Sequence, residues 1–360
     1  MFSDVMKRVR DVEARKSVIK HEVVKAILRH PRLNQFRNAY FRFAPNRAPR
    51  TVCSGKRTLH LLAAILGSLL IVSPSFAGEL RIANPPSAEE QTGRVLEKAT
   101  KDQPWQNSLG MKFTPVPGTQ VLFSIWDTRL EDFQAFVENA GYDATGGMWS
   151  LGQDGWKQLG ATWKEPGFSQ GPTNPVVGVS WDDAKAFCTW LTQRERRSGA
   201  LPEGMHYRLP TDQEWSVAVG LDSERGNTPE EKNSKIRLYQ WGTKWPPPPG
   251  VGNYCGMEAR IGNEPQDLTV IEGYNDGYPR TSPVGSFAAN KNGLYDMRGN
   301  VWQWCEDWYN SENTFRLLRG ASWYDYDPYR LLASYRRNHT PDRRGADAGF
   351  RCVVARDSSR

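Results

Sequence analysis

Two short runs in the last third of the chain have the composition to hold a hard cation. Asn275-Asp276-Gly277-Tyr278 and Asp296-Met297-Arg298-Gly299-Asn300 set oxygen-bearing side chains beside glycine, so that backbone carbonyls can turn toward an ion. Calcium takes about six to eight oxygens, drawn from side chains and backbone together. A third stretch, Trp323-Tyr324-Asp325-Tyr326-Asp327-Pro328-Tyr329-Arg330, interleaves aromatics with charge. That mixture suits a surface that grips peptide or sugar, and the plainer alternative is a solvated loop. After residue 77 the thiol and imidazole groups are Cys188, Cys255, Cys305, Cys352, His206 and His339. No CxxC and no Cys/His zinc spacing occurs among them. GxGxxG, P-loop, HExxH and GxSxG patterns are also missing, so neither a nucleotide-dependent nor a hydrolytic enzyme has support.

The elements that must position these groups leave local signals. Thr128 with Glu131 forms a capping box ahead of Phe133, Phe136, Val137 and Ala140, which share a helical face. Ser180 caps a second helix, with Asp182 and Asp183 in its first turn, Ala184, Phe187, Cys188 and Leu191 on one face, and a basic end at Arg194, Arg196 and Arg197. Thr211 and Glu214 repeat the box before Trp215. Strands are expected from Asn107 to Phe113, Thr281 to Phe287, Leu317 to Ser322 and Gly349 to Val354. Residues 241–256, WGTKWPPPPGVGNYCG, can be neither helix nor central strand. All 14 Trp follow residue 100, which predicts a core of aromatics and loops with little regular structure.

Charge divides the chain. Of 47 Lys and Arg and 40 Asp and Glu, residues 1–57 hold 15 and 4, leaving 32 and 36 in the remainder. The net +7 therefore describes the leader, and the acidic body gives no footprint for nucleic acid. Lys56-Arg57, the apolar run Leu59–Val72 and small residues at Ser75 and Ala77 read as a signal peptide at 56–77, cleaved after Ala77. The run falls short of the roughly 20 residues that span a bilayer. Two readings of residues 1–55 stay open. Either translation starts near Val52, or the basic segment is a cytosolic tail on a short uncleaved anchor, the one route to a membrane. Residues 78–106 read as a linker and 107–357 as the folded domain, exported to a periplasmic or extracellular space where disulfides are permitted.

Seven phrases then occur in order: NPVVGVSWDDAKAFCTWL (174–191), YRLPTDQEW (207–215), GNYCG (252–256), NDGYPRTSPVG (275–285), NGLYDMRGNVWQWCEDWY (292–309), RGASW (319–323) and RRNHTPDRRGADAGFRC (336–352). In this order and spacing they resemble the formylglycine-generating enzyme family, the sulfatase-modifying factors, over about 250 residues. The resemblance implies an α+β fold, that family's variant of the C-type lectin fold, with low secondary-structure content and structural calcium. It places one calcium on Asn253 and Asp276 with the carbonyls of Tyr254 and Tyr278. It places a second, weaker one on Asp296 and Gln303 with the carbonyls of Gly299 and Val301, weaker because the family carries Glu where Gln303 stands. It also implies a Cys188–Cys352 disulfide, and leaves Cys255 and Cys305 either paired or buried.

The family's enzymes oxidise a substrate cysteine with copper and oxygen, using two cysteines just after the motif that here reads Gly320-Ala321-Ser322. Those positions fall on Asp325 and Arg330, and no Cys lies between Ser322 and Gly349. Copper and formylglycine generation are accordingly not expected. Trp302 and Ser322 match pocket residues of the family, so a pocket with changed chemistry is expected around Trp302, Ser322, Asp325 and Arg330. The resulting expectation is an exported, non-catalytic binding or scaffolding module for a protein, peptide or glycan. The alternative is a periplasmic oxidoreductase of the same superfamily with altered chemistry or substrate.

Overall fold

The computed structural model describes residues 98–357, apart from 159, 222, 262, 263 and 266. The basic extension (1–55), the signal segment (56–77) and residues 78–97 lie outside the described residues. Among the described residues, no helix is long and apolar enough to cross a membrane.

Three helices form behind polar caps. The first, α1 (Leu130–Ala140), starts one residue later than the Thr128/Glu131 pairing implies. Asp132 accepts the Arg129 N–H at 3.0 Å and two guanidinium bonds at 2.9 and 2.8 Å, so Arg129 occupies the cap. Thr128 is buried, and its N–H is committed to the Phe350 carbonyl at 2.8 Å. In α2 (Trp181–Ser198), Ser180 and Asp183 exchange bonds of 3.1 and 2.8 Å, and in α3 (Asp212–Val219) Thr211 and Glu214 do so at 3.2 and 2.8 Å. These reciprocal bonds satisfy donors that a helix start leaves open. A one-turn helix, α4, covers Pro229–Lys232.

The strands are short. An antiparallel sheet runs in the order β1 (Trp105–Gln106), β2 (Lys112–Pro115), β3 (Leu122–Ser124), β11 (Val353–Arg356), β6 (Met205–Arg208). β1 lies in the stretch read as linker, with Trp105 opposite Phe113. A second sheet runs β10 (Ala348–Phe350), β7 (Trp302–Trp308), β8 (Arg316–Arg319), β9 (Arg337–His339), with β10 parallel to β7. β4 (Trp149–Gly152) and β5 (Gly155–Gln158) form a hairpin. The strand expected at 281–287 is absent: Ser282 N–H goes to Asn300 Oδ1 at 3.1 Å and Val284 N–H to Thr173 O at 2.9 Å. Donors spent on a side chain and a loop carbonyl cannot build a ladder.

α1 and α2 bury Phe133, Phe136 and Phe187 against Phe350, in an aromatic cluster with centroids 5.4–6.4 Å apart. Trp163, Trp215, Trp302, Trp304 and Trp323 are fully buried. Of these, Trp304 and Trp323 spend their indole N–H on loop backbone, at Val179 O and Ala346 O, each 3.0 Å, and Trp215 donates to Gln303. The α+β architecture with sparse secondary structure and a tryptophan-rich core is as expected. Its loops are held by backbone–backbone bonds and side-chain bonds to backbone together.

Candidate functional site

The loop after β8 carries Ser322 and Asp325. Asp325 Oδ2 accepts both the Ser322 N–H (2.9 Å) and the Ser322 Oγ–H (2.7 Å). Its backbone carbonyl takes the Cys255 N–H at 3.2 Å, which ties the loop to the 253–256 segment. Burial pushes the Asp325 carboxyl up, while Arg337, the Ser322 hydroxyl and Arg330 act to lower it. Arg330 reaches Asp325 only at 3.6 Å, and 48% of its side chain stays exposed.

Trp302 opens β7 with its ring fully buried. Tyr335 lies 5.8 Å from it, and the Arg337 guanidinium sits 5.5 Å from the ring centroid. Arg337, on β9, is ion-paired with Asp347. Burial alone would raise the Asp347 carboxyl, but the charge and hydrogen bond of Arg337 outweigh it and hold it below the usual range. Burial, then the positive charges of Arg337 and Arg343, push His339 down to about 3, so its ring is neutral at physiological pH. Arg337 and His339 border a cavity of about 360 Å³, lined also by Arg330, Tyr335 and Asn338, with Asn233, Tyr309 and Arg336 at its wall.

The structure thus bonds Ser322 to Asp325 within one loop, leaves Arg330 at 3.6 Å from Asp325, and packs Trp302 against Tyr335, a lining residue of the cavity. The aromatic stretch does not form one wall. Trp323 is buried, 6.1 Å from Trp156 and 5.9 Å from Phe168, and Tyr324 sits 5.1 Å from Trp156. Tyr326 and Tyr329 are exposed, with Tyr329 edge-on to Tyr335 at 6.0 Å. Asp327 caps a turn by accepting the Tyr329 N–H at 2.8 Å. Sequence reasoning missed Tyr335, Arg337 and Asn338 as lining residues. Their signal was the run RRNH at 336–339, which looks like an ordinary basic loop until β9 aligns it beside β8.

Part of the first oxygen-rich set meets at Asp276. Asp276 accepts the N–H groups of Tyr254 (2.8 Å) and Tyr278 (3.0 Å), so both tyrosines meet it through N–H. Asn253 is fully buried; its Nδ2 donates to Arg280 O at 2.8 Å and its Oδ1 has no donor. Burial, against the bond from Tyr254 and with the charge of Glu258, pushes the Asp276 carboxyl up to about 7. The second set is differently committed. Gln303 Oε1 accepts from Trp215 Nε1 (3.0 Å) and Arg351 Nε (2.8 Å), while its Nε2 donates to the Asp296 carbonyl at 2.7 Å. Arg351 in turn pairs with buried Asp127 at 3.1 Å. Asp296 Oδ2 takes the Gly285 N–H at 2.7 Å. Gly299, at φ +79°, gives its N–H to Gly320 O, and Val301 is buried one residue before β7.

Cys188 on α2 and Cys352, between β10 and β11, are thiols with sulfurs 3.5 Å apart. Cys255 and Cys305 are buried in separate apolar clusters and bond to Thr269 O (3.5 Å) and Gln303 O (3.7 Å).

Known proteins resemble this chain in sequence. The chain is 32% identical over 223 residues to the formylglycine-generating enzyme of Thermomonospora curvata, covering 54% of this chain and 62% of that protein. It is 33% identical over 204 residues to an inactive C-alpha-formylglycine-generating enzyme 2 of Bos taurus, covering 54% and 56%. The match thus spans about three-fifths of these relatives' own length. Among solved structures, PvdO from Pseudomonas aeruginosa superposes with a TM-score of 0.45 at 24% identity, covering 65% of this chain and 80% of that one. The sulfatase-modifying factor enzyme 1-like domain matches residues 123–356, and the chain belongs to that family.

Proposed function

We propose that this protein is an exported, non-catalytic binding module of the sulfatase-modifying factor family. One observation carries the reading. The positions assigned to the enzyme's two cysteines hold Asp325 and Arg330, and Asp325 is already closed onto Ser322 through two hydrogen bonds. The thiol nearest in the hydrogen-bond network, Cys255, is pushed up to about 12, chiefly by burial, and stays protonated. Cu(I) needs thiolates, and a buried thiol offers none. The inactive relative in Bos taurus is a precedent within the family for a member without the activity. The signal segment at 56–77 supports export.

Structural calcium belongs to this reading at the first set only. The undonated Oδ1 of buried Asn253 and the carboxylate of Asp276 lack a cationic partner and fit a hard cation. At the second set both lone pairs of Gln303 Oε1 are occupied and the Arg351 guanidinium already brings positive charge, which leaves Asp296, whose Oδ1 has no donor, as the one side chain of that set open to an ion.

The test is to purify the protein, measure its bound metals, and incubate it under oxygen with a cysteine-containing sulfatase-type peptide. Stoichiometric calcium, no copper and no aldehyde are expected. Aldehyde formation would overturn the reading, and bound copper or iron with oxygen uptake on another substrate would favour the oxidoreductase alternative.

A further inference from the structure

The cavity beside β9 has an uneven supply of hydrogen-bonding groups. No Asp or Glu lines it among the described residues. Arg337 spends one N–H on Asp347, and its Nε and Nη2 donate to nothing among the described residues. Arg330 makes no side-chain hydrogen bond there, because 3.6 Å to Asp325 is too long for one. The Asn338 carboxamide has neither donor nor acceptor in use, and His339 Nε2 is buried without a partner. The wall therefore offers two guanidinium forks and a free amide, at a volume of about 360 Å³. Cavities of roughly 300–1,000 Å³ hold small ligands or single side chains.

We infer that this cavity binds the carboxylate of an acidic side chain of a peptide between Arg330 and Arg337, with Asn338 pairing to the neighbouring peptide unit. Four points select this chemistry. Guanidinium forks match planar carboxylates in bidentate fashion. Each fork has a carboxylate behind it, Asp325 for Arg330 and Asp347 for Arg337, so the residual positive field suits a monoanion better than a dianionic phosphate. No tryptophan lines the cavity, and Tyr335 is packed on Trp302 and edge-on to Tyr329, so Tyr309, its hydroxyl bonded to Asn233, is the one lining aromatic left to face a sugar ring. A free carboxamide carries the donor and acceptor that complement a peptide unit.

The inference rests on the reading that this cavity binds rather than reacts, and the two fail separately. Aldehyde formation sinks the non-catalytic reading whatever binds here; absence of binding sinks only the carboxylate assignment. The experiment titrates the full protein by calorimetry with N-acetyl-L-glutamate methylamide, D-glucuronate and inorganic phosphate. Saturable binding of the glutamate probe is expected, weakening as salt rises and falling by about tenfold or more in Arg330→Gln, since a charge-assisted bond is lost. Arg337→Gln should fall further, but it also leaves Asp347 unpaired. Arg330→Gln, on a half-exposed side chain, and Asn338→Ala therefore keep the test independent of folding. Binding unchanged in both of these variants, tighter binding of phosphate or glucuronate than of the glutamate probe, or no saturable binding at all would overturn the assignment.

Discussion

Oxidation of the thiol pair Cys188/Cys352 should be the largest single covalent contribution to this domain's stability. The two sulfurs lie 3.5 Å apart, both fully buried, on α2 and on the segment joining β10 to β11. A disulfide needs about 2.05 Å between sulfurs, so a small side-chain adjustment closes it. The residues are 164 apart in sequence. Cross-linking a loop of that length removes unfolded-state entropy worth about 5 kcal/mol at 25 °C. For a domain of this size each kcal/mol moves Tm by about 2–4 °C, so the oxidised protein should melt about 10–20 °C above the reduced one. Burial, then the neighbouring Cys352, hold the Cys188 thiol well above its ordinary value. Exchange requires a thiolate with access, so mild reductant should leave the folded bridge intact and reduce it only on unfolding. The assay is thermal unfolding of protein recovered from an oxidising compartment, with and without reductant in denaturant, alongside a thiol count in denaturant. Two free thiols are expected, from Cys255 and Cys305. Four free thiols, or a Tm that ignores reduction, would refute the reasoning.

Three further outcomes follow from the same geometry. Adding calcium to metal-free protein should raise Tm by an amount equivalent to about 2.7 kcal/mol at a hundredfold excess over the dissociation constant. That shift should vanish in Asn253→Ala and Asp276→Asn and persist in Gln303→Leu, whose loss of bonds to Trp215 and Arg351 lowers Tm without touching the ion. Arg336 is fully buried and bonds Asp212 at 3.0 Å and Glu224 at 2.6 Å, so Arg336→Met should cost about 3–5 kcal/mol in denaturant unfolding by stranding buried carboxylates. Arg330→Met, on an exposed arm, should cost under about 1 kcal/mol. His339 titrates near 3 when folded and near 6.5 when unfolded, so between those values the unfolded chain binds the extra proton. Its contribution is present above about pH 6.5 and lost as pH falls toward 3. Relative to His339→Gln, the parent should lose about 1 kcal/mol between pH 7 and 5 after solvent screening, read from parallel denaturant curves.

Local chemistry was legible in the sequence wherever a few neighbouring residues decide it. The caps at Ser180 and Thr211 stand as expected, because a side-chain oxygen three residues from an open N–H has few better partners. The cap at Thr128 moved to Arg129 because the Phe350 carbonyl, 222 residues away, takes the Thr128 N–H. The strand expected at 281–287 failed for a similar reason: Asn300 and Thr173 supply the acceptors that a ladder would need.

By itself the sequence determined the family and the α+β class, through seven ordered motifs, and the absence of a cysteine between Ser322 and Gly349. Only the tertiary structure decided that Asp325 closes onto Ser322, that Trp323 is core rather than wall, and that Gln303 answers Trp215 and Arg351 instead of standing free. It alone brought Arg337 and Asn338 beside Arg330. The reason is physical. A hydrogen-bond partner or cavity wall is chosen by whichever group the fold brings within about 3 Å, and in a core held by loops those groups come from distant segments.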